Sequence, residues 1–166
     1  MTRALIVVDV QEDFCEGGAA PVAGGARIAS EISVLLHHWT RQDPKAPPYD
    51  VVVATRTDVR GEAFHPNLDP QPFAAIFLKD ATAAASSGFE GRTKDGAALA
   101  DWLRSHEVTE IDLCGIATDE GVRATALDAA RRGFETRVLV DLCTGTAADT
   151  TAAALGQMQA AGVSLA

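Results

Sequence analysis

Residues 4–9 read Ala4-Leu5-Ile6-Val7-Val8-Asp9, five apolar side chains in a row closed by a carboxylate. An apolar run without alternation suits a strand covered on both faces, as in a parallel sheet. Similar runs recur at 50–54, 75–79, 111–116, 136–141 and, more weakly, 162–165. Between them apolar residues fall three or four apart: Ile28, Ile32, Leu35 and Leu36, then Leu99, Trp102 and Leu103, then Val122, Ala126, Ala129 and Ala130. That is the spacing of helices with one buried face. Strands alternating with helices predict an α/β fold: a single three-layer domain over 1–166, with a mainly parallel sheet of about six strands and helices on both faces.

Gly24-Gly25 and Gly133 mark helix boundaries, and the connections at 43–49 and 91–96 are too short to separate domains. The 166 residues include 14 Lys or Arg and 23 Asp or Glu, a net charge of −9. An acidic chain without a basic cluster argues against a nucleic-acid partner, because phosphate binding draws on Lys and Arg. No apolar run reaches the roughly 18 residues that a membrane span needs. The run behind Met1-Thr2-Arg3 is too short for a signal segment and ends at Asp9, so a cytoplasmic location is expected. Cys15, Cys114 and Cys143 form an odd, widely spaced set, expected to be free thiols.

In open parallel sheets, ligands sit beyond the carboxyl ends of the strands. That places chemistry at Asp9, at Lys79, in the turn Gly115-Ile116-Ala117-Thr118-Asp119-Glu120-Gly121 and at Asp141. Thr118 or Asp119 is expected to cap the following helix, with the N–H groups near Glu120 and Gly121 aimed at the pocket.

Residues 4–18 (ALIVVDVQEDFCEGG), Lys79 with Ser87-Gly88-Phe89-Glu90-Gly91, and residues 115–133 (GIATDEGVRATALDAARRG) together resemble the isochorismatase-like superfamily. Within it the chain is most similar to actinobacterial nicotinamidases and pyrazinamidases. The resemblance implies an amide hydrolase with an Asp-Lys-Cys triad, in which a thiolate attacks the carbonyl. Asp9 and Lys79 match the first two members. Gly121 stands where those enzymes carry the cysteine, and glycine cannot form a thioester. The resemblance also implies a divalent metal held by an aspartate and histidines after the second strand. Here that stretch reads Thr55-Arg56-Thr57-Asp58-Val59-Arg60, which supplies no imidazole, so no metal and no other cofactor is expected.

The remaining cysteines are not expected to substitute: Cys114 and Cys143 read as small buried residues, and Cys15 resembles a cysteine of the family that is not its nucleophile. His37, His38 and His106 fall near helix ends, and His65 resembles a structural turn. Phe14 resembles a pocket-lining aromatic, and Ala117 and Gly121 belong to the oxyanion- or substrate-binding turn. Isochorismatases resemble this turn with glycine at the position of Gly121 and need no metal. By that analogy Asp9 is a general acid, Lys79 orients a carboxylate or other anionic group, and the N–H groups around Gly121 hold an oxygen. Two readings follow. One is a cysteine-free acid–base enzyme working through Asp9 and Lys79 on a small metabolite, in specialised biosynthesis. The other is a small-molecule-binding pseudoenzyme. A third, less favoured, is a true nicotinamidase. The family's habit of forming dimers or tetramers implies a homo-oligomer.

Overall fold

The computed structural model describes residues 2–58, 63–80 and 87–166. Six strands form one parallel sheet in the order β3-β2-β1-β4-β5-β6. In chain order they are β1 (Thr2–Val8), β2 (Val51–Asp58), β3 (Ile76–Asp80), β4 (Val108–Ile116), β5 (Glu135–Thr144) and β6 (Ser164–Leu165). The helices are α1 (Gly25–Thr40), α2 (Leu99–Ser105), α3 (Arg123–Arg131), entered through a π-helical turn at Thr118–Val122, and α4 (Ala148–Ala160). The expected α/β class, parallel sheet and strand count are all present.

The unbroken apolar run of β1 follows from its central place. Leu5 and Val7 pack on one face with Ile28, Ile32 and Leu36 of α1. Ala4, Ile6 and Val8 pack on the other with Leu99 and Leu103 of α2, Ala126 and Ala129 of α3, and Met158 of α4. All five β1 side chains from Ala4 to Val8 are fully buried.

Helix α4 lies where no helix was expected. It buries only Ala154 and Met158, so the alanine-rich segment shows no apolar stripe to read. β5 runs on to Thr144, past the expected end at 141, after a register shift in its pairing with β4 between Leu113 and Gly115.

The chain leaves β1 toward β2 and β3 on one side and later returns to place β4 on the other. The strand order reverses between β1 and β4, and at such a point the loops diverge and leave a cleft beyond the strand ends. At its floor β1 and β4 approach closely. Gly115 has φ +124°, and a Cβ there would lie 2.2 Å from the Val8 carbonyl oxygen and 2.8 Å from the Val8 nitrogen. Gly115→Ala is therefore expected to lower unfolding free energy in urea by at least about 2 kcal/mol, through strain and overpacking together. Gly156→Ala, in α4 with open space around the added methyl, is expected to raise it by about 0.5–1 kcal/mol.

Candidate functional site

Asp9 follows β1 in a left-handed conformation, φ +49°. Its N–H donates to the Thr55 carbonyl at 3.2 Å, which turns the carboxylate over the end of β2. Thr55 Oγ1 donates to Oδ1 at 2.8 Å, while Thr57 Oγ1 at 3.1 Å and Lys79 Nζ at 2.6 Å donate to Oδ2. Lys79 comes from the edge strand β3 and reaches across β2, where it stands in register with Thr57. Asp9 is 5% exposed and Lys79 2%. Every one of these contacts uses Asp9 as an acceptor, the arrangement of a carboxylate rather than a carboxylic acid.

Beyond the carboxylate lies a cavity of about 340 Å³ whose wall includes Asp9, Phe14, Thr57, Ala117, Gly121 and Thr146. The structure thus brings Asp9, Phe14, Ala117 and Gly121 together as expected. A Cβ at Gly121 would lie 3.4 Å from Asp9 Oδ2 and 3.2 Å from Val8 Cγ1. Lys79 does not reach the cavity wall. It stands behind Asp9, bonded to it, so the expected direct contact between its ammonium and a substrate anion is not available in this geometry.

The turn after β4 also differs from expectation. Ala117 occupies the N-cap position and no side chain caps the helix. The N–H groups of Glu120 and Val122 both donate to the Ala117 carbonyl, at 3.0 and 3.1 Å, so the Glu120 N–H is not presented to the cavity. The peptide bond Ile116–Ala117 is cis. Asp119 instead binds the entrance to α4, accepting from Thr146 N at 2.9 Å, from Thr150 Oγ1 at 2.6 Å and from Thr146 Oγ1. Burial pushes the Asp119 carboxyl up, and the hydrogen bonds from Thr146 and Thr150 outweigh this and hold it below the ordinary aspartate value. Pro21 and Val22 from the loop before α1, and Thr146 from the loop after β5, complete the wall. The sequence carried no signal for these, since nothing in their local pattern says which loop folds over which strand end. Asp141 does not line the cavity.

All three cysteines are buried free thiols, and none lines the cavity. Burial, aided by Glu16, pushes Cys15 up to about 11. Burial pushes Cys143 up to about 12 and raises Cys114 as well. Thiols so raised hold almost no thiolate at neutral pH. Among the described residues no three His, Cys, Asp or Glu side chains come together in a metal-binding group. His65 Nδ1 accepts from the Asn67 N–H at 3.1 Å, His38 pairs with Asp43 at 2.9 Å, and His106 stacks on Trp102. Val59 and Arg60 lie outside the described residues.

The model of the isochorismatase domain matches residues 3–166. The chain belongs to the isochorismatase family. It is 45% identical to the nicotinamidase/pyrazinamidase of Mycobacterium tuberculosis, over 98% of this chain and 97% of that one. The matched stretch spans 188 positions, more than the 166 residues present here, so that relative carries segments this chain lacks. Of solved structures, the pyrazinamidase of Pyrococcus horikoshii in complex with zinc is 32% identical with a TM-score of 0.83, covering 100% of this chain and 99% of that one. The PnC1 protein of L. infantum in complex with nicotinate is 26% identical with a TM-score of 0.83, covering 99% of this chain and 92% of that one. The family is one of hydrolases, and its fold agrees with the sheet and helices described above. The described residues of this family member do not assemble a donor set that fits a zinc ion.

Two outcomes test this geometry. Lys79→Met leaves a buried carboxylate without its cation and is expected to destabilise the fold by about 3–5 kcal/mol. The double variant Asp9→Asn with Lys79→Met is expected to recover part of that loss in urea unfolding. The stability contributed by Asp119, whose folded value is depressed, is complete above the ordinary aspartate range and is lost as pH falls through the folded value. Asp119→Asn is accordingly expected to flatten the acid limb of a stability–pH curve.

Proposed function

We propose that this protein is a small-molecule hydrolase in which Asp9 moves the proton and water, rather than a cysteine thiolate, is the nucleophile. The observation that carries this is the convergence of a buried, cation-anchored carboxylate on a stretch of cavity wall that has no side chain, Gly121. A carboxylate has about four acceptor sites and Asp9 uses three within the protein, which leaves one for the proton of a bound water. As the water oxygen bonds to the electrophilic carbon, Asp9 takes its proton. The same proton passes to the leaving nitrogen or oxygen as that bond breaks. Lys79, Thr55 and Thr57 hold the carboxylate in place through both transfers. The shorter chain, the absence of a thiol from the cavity wall and the raised cysteines all favour water over sulfur.

A second reading is hydrolysis of nicotinamide or pyrazinamide themselves, favoured by the 45% identity to an enzyme named for both. These two amides therefore come first in the test, followed by a panel of single-ring amides and esters, with ammonia release and mass spectrometry as readouts. Turnover is expected to survive both a chelator and iodoacetamide, and Asp9→Asn is expected to reduce kcat/KM at least about 100-fold. Turnover that disappears with the chelator or on thiol alkylation overturns the water mechanism. Recovery of every bound ligand unchanged supports the binding protein without chemistry.

A further inference from the structure

Strand β1 ends at Val8, paired with Thr55, while β2 runs on to Asp58. Past Val8 the left-handed Asp9 turns the chain away, so the backbone of Thr57 finds no strand partner on that side. The side chain of Gln11 takes the strand's place. Its Nε2 donates to the Thr57 carbonyl at 2.9 Å, and its Oε1 accepts from the Thr57 N–H at 2.8 Å. Gln11 is fully buried and does not line the cavity, and its own N–H donates to the Asp9 carbonyl at 2.8 Å. A buried amide that spends both polar atoms on one residue's backbone satisfies those groups and fixes that residue in place. The carboxylate and the grip on Thr57 thus come from one tripeptide, Asp9-Val10-Gln11.

Thr57 lines the cavity, half-buried, and its Oγ1 donates to Asp9 Oδ2 at 3.1 Å. Thr55, the other hydroxyl on Asp9, does not line the cavity. A carboxylate only accepts, so the one proton of the Thr57 hydroxyl is committed to it and the oxygen is left with lone pairs. It accepts no hydrogen bond from the described residues. Asp9 is in a similar condition. Both acceptor positions of Oδ2 are filled, by Thr57 and Lys79, whereas Oδ1 takes only Thr55 Oγ1 among the described residues. Two acceptors on bonded groups, with no donor supplied to either, suit a molecule that brings two protons. Water brings two and keeps its oxygen lone pairs for a carbon.

We propose that Thr57 Oγ1 and Asp9 Oδ1 together hold the hydrolytic water, which makes Thr57 a second catalytic residue, and that Gln11 is the positioning residue that holds Thr57 to this task. The proposal rests on the hydrolase reading above. The water proton directed at Asp9 is the one that passes to the leaving group. The proton directed at Thr57 stays on the oxygen and ends in the hydrolysis product. With both O–H bonds turned to the wall, the oxygen lone pairs face the cavity, where the electrophilic carbon is attacked.

One arm of the test needs no turnover. A high-resolution crystal structure of the native protein is expected to show an ordered water within about 3.0 Å of both Asp9 Oδ1 and Thr57 Oγ1. Thr57→Val, which keeps the side-chain shape, is expected to lose that water. Its absence from the native protein, or its persistence in Thr57→Val, overturns the proposal. The second arm is kinetic, on the amide or ester of the panel that turns over. Thr57→Val is expected to lower kcat about 10- to 100-fold with KM changed less than about two-fold. Thr57→Ser, which restores the hydroxyl, is expected to recover most of that loss, and Gln11→Met to lower kcat about ten-fold with KM again held. A raised KM with kcat retained in Thr57→Val also overturns the proposal, since Thr57 then holds substrate and not water. If nothing in the panel turns over, the hydrolase reading fails by itself, and the crystallographic arm still decides the water site.

Discussion

An ammonium and a carboxylate removed from water are tolerated only when each meets the other and the remaining lone pairs are satisfied. The Asp9–Lys79 pair imposes that condition on three strands at once. Lys79 must lie on β3, Asp9 must follow β1, and the strand between them must present hydroxyls rather than methyl groups at the positions in between. Thr55 and Thr57 of β2 meet it, both donating to Asp9 on the same face of the sheet. A shift of one residue in the β2–β3 register would turn Lys79 to the opposite face. The pair is thus a constraint on register.

The second wall of the site is backbone. Gly115 lets β4 come within reach of β1, and the turn that follows folds its own N–H groups back onto Ala117. Asp119 then fastens the turn to the loop before α4, which sets Thr146 against the cavity. Gly121 presents bare backbone to Asp9 because this turn is held from both sides.

Much of the architecture was legible in advance. The unbroken runs at residues 4–9 and 111–116 identified central parallel strands, because a strand covered by helices on both faces has no solvent side on which to place polar residues. Helix α1 was legible from Ile28, Ile32 and Leu36, all of which are buried. Helix α4 was not, because a peripheral helix that buries little more than Ala154 and Met158 needs no stripe. Thr118 or Asp119 was read as a helix cap, since a hydroxyl or carboxylate at a helix start satisfies N–H groups in most local contexts. The actual partners of Asp119, Thr146 and Thr150, are about thirty residues further on and invisible to any local rule.

Residue order was enough to establish the α/β class, the parallel sheet and the position of polar residues at strand ends, because burial periodicity and turn chemistry are properties of short segments. It was also enough to place Gly121, without a side chain, in the turn facing Asp9. What depended on the folded arrangement was the state of the charges. Asp9 and Lys79 are 70 residues apart in sequence, and whether that ammonium faces a ligand or is consumed by a carboxylate turns on a reach across β2. Glu120, unremarkable in the sequence, comes to the cavity wall only through the fold of the turn after β4. Electrostatic character is a sum over neighbours in space, and those neighbours exist only once the sheet has closed.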